Sequence, residues 1–373
     1  MTATDIGDMA ATQQIAARRR INVPKIMRAF RRLLAGRWVS MDSLAKEVRV
    51  LHPAEQRRSL PAIYLPGAIE KIAMVSPYRQ RDREWQLIKG GSLKYRASVA
   101  YRFANVRIFN PYLYCGPSVQ HIGYGEERLL TRHVGPKLEI DRANLVVTWN
   151  GAYFFGPYLM SEILLELLAE NRSQNISMPT RPYQHEAGYR ALLRMERPPV
   201  ITHAVVRELT LFDEPRNNYS KAVRWRELRA RLRTGTARPS QRFVYLKRGA
   251  TGARRMLEND EQIEAHLRKA GFDVVEPAKL SAQEIVKRTL DAELVVSMEG
   301  SHLAHLVYTL SDKGTLLVFQ PPDRFALPFK DFTDCLGMRF AFLVGDRTND
   351  GFRIAPDDLD RMMELLVKSK SSL

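Results

Sequence analysis

Cysteine is scarce in this chain. Two thiols, Cys115 and Cys335, among 373 residues exclude a disulfide-stapled scaffold and a Cys-rich zinc module, and point to a reducing compartment. No apolar run reaches the roughly 18 residues of a membrane span, so no transmembrane helix is expected. The first twenty residues, MTATDIGDMAATQQIAARRR, lack the basic-then-apolar order of a signal peptide. There is no Walker A loop, no G-x-G-x-x-G fingerprint, no internal repeat, and no zinc-finger, RRM or helix-turn-helix signature. Apolar material is not lacking: 45% of residues are hydrophobic and 27% charged, which excludes disorder as a whole-chain state. The length suits about two domains of roughly 150 residues.

The charge is plentiful and uneven. The chain carries 58 Lys+Arg against 41 Asp+Glu, a net +17. Residues 1–240 hold 39 and 21 of these, a surplus of +18, whereas residues 241–373 hold 19 and 20, a balance of −1. Only the first part is basic. A basic surface suits phosphate-bearing partners, whether nucleic acid, anionic lipid or nucleotide-linked substrates, or serves solubility alone. Residues 24–38, PKIMRAFRRLLAGRW, read as a basic amphipathic helix. Pro24 fits its first turn, Ile26, Phe30, Leu33 and Leu34 share one side, and Lys25, Arg28, Arg31 and Arg32 lie elsewhere. Such a helix can rest on an anionic membrane surface or dock its apolar face on the protein body.

From residue 243 onward, short apolar runs alternate with amphipathic stretches. The runs are FVYLK, FDVVEP, ELVVSM, TLLVFQ and RFAFLV. Between them lie a helix over 259–270 followed by Gly271, a helix opened by the S-x-x-E box of Ser281 and Glu284, the segment HLAHLVYTL, a short helix near 330–336, and a terminal helix over 357–368. This pattern predicts a doubly wound α/β domain with a parallel sheet, whose ligands bind at the carboxyl ends of the strands. Two loops there carry candidate chemistry. Residues 247–255, KRGATGARR, combine glycines with four cations; guanidinium groups pair with phosphate in a bidentate way. Residues 297–302, SMEGSH, place Gly300 and Ser301 where a helix start exposes backbone N–H groups. Together they can hold a diphosphate. Separately they also read as a solvated basic turn and an ordinary helix start. Upstream, AIYLPG, SVAYRF, VRIF and NLVVTW read as strands, helices are clearest over 161–169 and 222–232, and TGTARPS (234–240) reads as an interdomain linker.

On these residues the chain resembles glycosyltransferase family 61. The matching positions are Arg248, Arg254, Arg255, Asn259, Gly271, Phe272, Ser281, Glu284, Gly300, Ser301, Leu303 and His305. LFDEPRNNYSKAVRWRELRARL (211–232) looks like the segment that precedes the donor domain in bacterial members, and TWNGAYFFGPYLMSEILLELL (148–168) looks like the family's aromatic-Gly-His segment. The resemblance spans about residues 95–345. Pro157 stands where a His is expected and Glu299 where many relatives carry His.

The resemblance implies a GT-B-like α/β fold: two Rossmann-like domains facing a cleft, behind a basic helical N-terminal extension. The expected division is an extension over 1–60, an acceptor-side α/β domain over 61–233, the linker over 234–240 and a donor domain over 241–373. It further implies inverting transfer from a nucleotide-sugar donor to a glycan or glycolipid of capsular or lipopolysaccharide type. No cofactor and no metal are expected, because arginines and a helix start can take the diphosphate. Donor contacts are expected from Arg248, Arg254, Asn259, Glu299, Gly300, Ser301 and His302, although Asn259 also reads as a helix N-cap and Arg255 can face solvent. Glu162, matching the family's acidic position, is the expected base; its alternative is a surface carboxylate in line with Glu166 and Glu170. His302 and His305 share a helical face but lack a third metal ligand. His185, His203 and Asp213 are further acid–base candidates. The location expected is cytoplasmic, or peripheral at the inner face of the membrane. Nucleic acid is not expected as a partner. A family-shaped protein without catalysis, acting in assembly, is the other reading, and Pro157 supports it.

Overall fold

The computed structural model describes residues 19–21, 39–125, 130–132, 138–215, 217–234, 242–249 and 256–370. The expected helix at 24–38, residues 235–240 of the expected linker, and both Arg254 and Arg255 lie outside them. The chain forms two compact units that interleave in sequence. One comprises Met1–Ala54, Arg96–Tyr183 and Glu196–Pro215; the other comprises Glu55–Tyr95, Gln184–Met195 and Arg216–Leu373.

In the second unit, five strands form one parallel sheet: β1 (Phe243–Leu246), β2 (Asp273–Val275), β3 (Ala292–Met298), β4 (Leu310–Gln320) and β5 (Arg339–Val344). Their order is β2-β1-β3-β4-β5, and one row of the register runs Asp273, Val244, Val295, Leu316, Phe340. The central strands are apolar runs because both faces are covered: every residue of β3 but Glu293 is buried, and β4 is buried from Gly314 to Gln320. Besides the helix Arg81–Lys89, this unit includes α1 (Glu186–Leu193), α2 (Tyr219–Arg233), α3 (Asp260–Lys269), α4 (Ala282–Thr289), α5 (Lys330–Leu336) and α6 (Pro356–Lys370). Ile263 and Leu267 of α3 and Leu359 and Met362 of α6 share one core cluster with Tyr245, Val296 and Leu317. Ser281 and Glu284 form the complete capping box of α4. Gly271, at φ +85°, ends α3 in the left-handed conformation that favours glycine.

Three features of this unit differ from the sequence reading. The run AIYLPG is not a strand but a single parallel bridge, Ile63 to Ala341, because Pro61 and the turn at Pro66-Gly67 bound it. HLAHLVYTL is not one α-helix: Ser301–His305 is a 3-10 turn that passes into a single α-turn, Leu306–Thr309. The expected division into consecutive domains also differs from the interleaved units. Helix α2 belongs here because its Trp225 packs edge-on against Phe332 and its buried Arg229 donates to Val307 O at 2.6 Å. Residues 55–95 belong here because the buried Lys330 Nζ donates to Ser59 Oγ and Leu60 O, and Leu327 N donates to Glu84 Oε2.

The first unit is built on a seven-stranded sheet. Its longest strand, Ser98–Phe109, pairs antiparallel with His203–Asp213, which in turn runs parallel to Leu138–Leu145. Glu47–His52 and the meander Tyr112–Cys115 and Ser118–His121 complete the antiparallel part. The sheet is mixed, not the wholly parallel sheet of a Rossmann-like domain. The two-residue turns Asn110-Pro111 and Gly116-Pro117 are too short for a crossover and return each strand beside its predecessor. One face carries the core, with Phe103, Val106, Ile108, Val206 and Leu209 buried. The other face displays Glu47, Arg49, Arg102, Arg142 and Glu208, all exposed or partly exposed.

Candidate functional site

In the order β2-β1-β3-β4-β5 the chain reverses direction across the sheet between β1 and β3. That switch point is where open α/β sheets leave a crevice at the strands' carboxyl ends. Leu246 and Met298 end those two strands, so residues 247–249 and 299–302 meet there. Arg248 Nη1 donates to Glu299 O at 3.3 Å, which aims the guanidinium across the crevice. Glycine at 300 leaves room for the approach: a Cβ there would lie 2.9 Å from His302 Nδ1, so that the imidazole would have to shift, and in ordinary contact, 3.5 Å, with Arg248 Cζ. Ser297 Oγ donates to Leu246 O at 2.6 Å and lies 2.9 Å from His302 Nε2. A hydroxyl has one proton, so it accepts from Nε2–H, and a neutral His302 keeps Nδ1 as an acceptor beside Gly300. The backbone of Glu299 is fixed by its N–H to Phe319 O at 3.0 Å, and its side chain is buried. Ser301 is exposed at the start of the 3-10 turn. The expected helix-dipole contribution shrinks accordingly, because one such turn aligns few peptide dipoles.

Beneath this loop lies a buried histidine cluster. Tyr189 Oη and His305 Nδ1 are 2.7 Å apart, and the His185 and His305 rings meet edge-on at 4.9 Å. Burial, then the neighbouring His185 and His302, hold the His305 pKa well below the ordinary imidazole range, and burial holds the Tyr189 hydroxyl well above its own. The hydroxyl is therefore the donor and Nδ1 the acceptor. His185 Nε2 faces Leu280 O at 2.9 Å. These groups pack and orient one another. Among the described residues no group of three His, Cys, Asp or Glu can hold a metal ion.

One residue of the expected donor set and one cation of the 247–255 loop have other partners. Asn259, 7% exposed, stands at the N-cap of α3 without a side-chain cap bond: its amide is instead held by Ile354, donating to Ile354 O at 2.8 Å and accepting from Ile354 N at 3.1 Å. Lys247, one of the four loop cations, is bound to α3, with Nζ 2.6 Å from Glu264 Oε2 and 3.1 Å from Asp260 Oδ2.

In the first unit, Glu162 closes a π-helical segment, Tyr158–Glu162, that follows Pro157. Such segments recur at functional sites. Glu162 is not a surface carboxylate: it is 2% exposed, and Glu166 is 6% exposed. Its oxygens accept from Thr148 N at 2.5 Å and Thr148 Oγ1 at 2.6 Å. Thr148 in turn caps the helix Trp149–Tyr153 through Gly151 N. A Cβ at Gly151 would lie 1.9 Å from Glu162 Cγ, so glycine is what admits the carboxylate. Around this helix stands an aromatic group that the sequence reading did not single out. Trp149 stacks on Tyr153 with centroids 5.1 Å apart, Tyr124 meets Tyr153 at 5.1 Å, and His121 Nε2 lies 3.0 Å from Tyr153 Oη. Trp149 and Phe154 remain 38% and 42% exposed. The aromatic density of TWNGAYFFGPY was the available signal. His203 packs against Phe109, and Asp213 forms a two-bond pair with Arg96; neither belongs to this group.

The model of the family Glycosyltransferase 61 matches residues 159–318. No curated protein matches the chain. The matched stretch begins just before Glu162, includes Arg248 and the 299–302 loop, and ends within β4. Over this stretch the chain is similar to that glycosyltransferase family. Among the described residues no helix is long and apolar enough to cross a membrane.

Proposed function

We propose that the chain is an inverting glycosyltransferase that moves a sugar from a nucleotide-sugar donor to a hydroxyl of a glycan or glycolipid acceptor. The observation that carries this reading is Arg248 set over Gly300 at the switch point, inside the stretch that resembles the family. Transfer leaves a nucleoside diphosphate, and a pre-aimed guanidinium with adjacent polar groups stabilises its developing charge without a metal ion. Glu299, Ser301 and His302 border the same point and contact the donor in this reading, with Arg254 as a second cation. Asn259 drops out because Ile354 occupies it.

Glu162 is the base that takes the proton of the acceptor hydroxyl. The Thr148 N–H and hydroxyl hold the carboxylate in place, and the exposed faces of Trp149 and Phe154 offer a surface for a sugar ring. The surplus charge of residues 1–240 suits the anionic inner face of a membrane.

The test is thermal denaturation with UDP, GDP, CMP and ADP. One nucleotide at about 100 times its Kd should stabilise the protein by about 2.7 kcal/mol. Arg248→Ala should weaken that nucleotide by about 1.5–3 kcal/mol, roughly 10–100-fold. If no nucleotide shifts the midpoint, the reading fails. Binding without donor turnover would identify the assembly reading that Pro157 suggests.

A further inference from the structure

The solvent face of the first unit's sheet holds a groove of about 250 Å³. Its floor is set by small residues, Ala100 and Thr210, that lie opposite Phe212 and Arg102 in the paired strands. Longer side chains rise around them. Arg49 meets Glu170 at 2.8 Å, Arg142 meets Glu208 at 3.0 Å, and Arg102 lies between Glu47 and Glu208. Phe212, partly exposed, forms one wall, and the amides Asn171 and Gln174 close an end.

Three properties of this groove identify its ligand. First, three arginines face three glutamates, so the groove is neutral on a chain of net charge +17. An anionic ligand would meet the glutamates; a cationic one would meet the arginines. Second, the polar groups are planar carboxylates, guanidiniums and amides. These can each bind two neighbouring hydroxyls, and the ion pairs fix them beforehand while leaving each partner at least 40% exposed. Third, the volume is below the roughly 300–1,000 Å³ of pockets that enclose a small molecule, so a ligand lies across it. An aromatic wall beside such groups suits the C–H face of a sugar ring.

We propose that this groove binds a neutral oligosaccharide as an extended acceptor subsite. The assignment of an acceptor rests on the glycosyltransferase reading; the saccharide chemistry rests on the groove. The face is the broad side of a sheet, not a strand edge, so a peptide added as a strand has no place on it.

The test uses the full chain and saturation-transfer NMR with neutral tetrasaccharides (gluco-, manno-, galacto- and xylo-configured) and one acidic oligogalacturonate. At least one neutral tetrasaccharide should bind, and Phe212→Ala and Glu208→Gln should each weaken it at least tenfold. Because both residues are solvent-accessible, the thermal midpoint and the nucleotide-induced stabilisation should stay within 2 °C of the parent. Absence of neutral binding, preference for the acidic ligand, or affinity unchanged in both variants would overturn the proposal. Loss of the nucleotide response with saccharide binding intact would instead overturn the glycosyltransferase reading alone.

Discussion

Glu162→Gln separates a catalytic carboxylate from a structural one. Glu162 accepts two hydrogen bonds from Thr148. Glutamine keeps a carbonyl oxygen for the Thr148 N–H and can donate to its hydroxyl, so the fold loses the charge assistance of about one bond, roughly 1.5–3 kcal/mol. For units of this size that lowers the midpoint by about 3–12 °C. A general base contributes about 10²–10⁴-fold, so turnover of the donor selected by thermal shift should fall by that factor with nucleotide affinity unchanged. The control is Thr148→Val. It removes the hydroxyl that binds Glu162 Oε1 and caps Gly151 N, and it costs comparable stability, yet it leaves the carboxylate in place. Its turnover should stay within tenfold of the parent. Two results would refute the assignment: Glu162→Gln retaining more than a tenth of the rate, or Thr148→Val losing as much as Glu162→Gln. Either would make Glu162 a positioning residue that holds the Trp149 helix.

Two further outcomes follow from buried groups in the second unit. Lys330 is fully buried and donates to Asp334 Oδ1 at 2.7 Å; burial draws its pKa down and pushes that of Asp334 up, against their pairing. Lys330→Met should therefore strand a carboxylate and cost about 3–5 kcal/mol, whereas Lys330→Met with Asp334→Leu should recover part of that loss, the buried Ser59 hydroxyl still lacking both partners. Chemical denaturation checks both, and a double variant less stable than the single one would refute the account. His305 has its pKa depressed by burial below the unfolded value of 6.5. Its contribution is complete above that value and is lost as pH falls toward the folded pKa, because only the unfolded chain takes the proton. Stability should drop by about 1.4 kcal/mol per pH unit below roughly pH 6, and His305→Asn should flatten that slope; an unchanged slope would show that other groups set it.

The parallel sheet was legible because burial on both faces turns each strand into an apolar run. Local chemistry marks the helix ends: Ser281 and Glu284 cap α4, and Gly271 ends α3. What escaped the sequence was set by distant partners. Asn259 has the residue type of a cap, but Ile354, 95 positions away, claims its amide. Glu162 shares i+4 spacing with Glu166 and Glu170, as a wetted face would, but Thr148 draws it inward. Lys247 sits among loop cations, yet carboxylates on α3 take it. At the switch point, Arg248 and Gly300 were legible as types; the hydrogen bond that aims the guanidinium at the Glu299 carbonyl was not. The aromatic group around Tyr153 gathers residues from two separate segments, 121–124 and 149–154, and no local period announces it.

The interleaving of the two units sets a schedule for synthesis. Ser59 leaves the ribosome early, but the lysine that binds it follows 271 residues later. At about 5–20 residues per second, Ser59 waits roughly 14–54 s for Lys330. During that interval residues 55–95 have no completed sheet to join, and Glu84, buried in the finished protein, has yet to meet Leu327. Each crossing of the chain between units also sets a limit on dissection. A fragment beginning at residue 241 would carry all five parallel strands but lack α1, α2 and the Ile63 bridge that borders β5. The switch-point loop is thus part of a fold that no single contiguous piece of the carboxyl-terminal sequence contains.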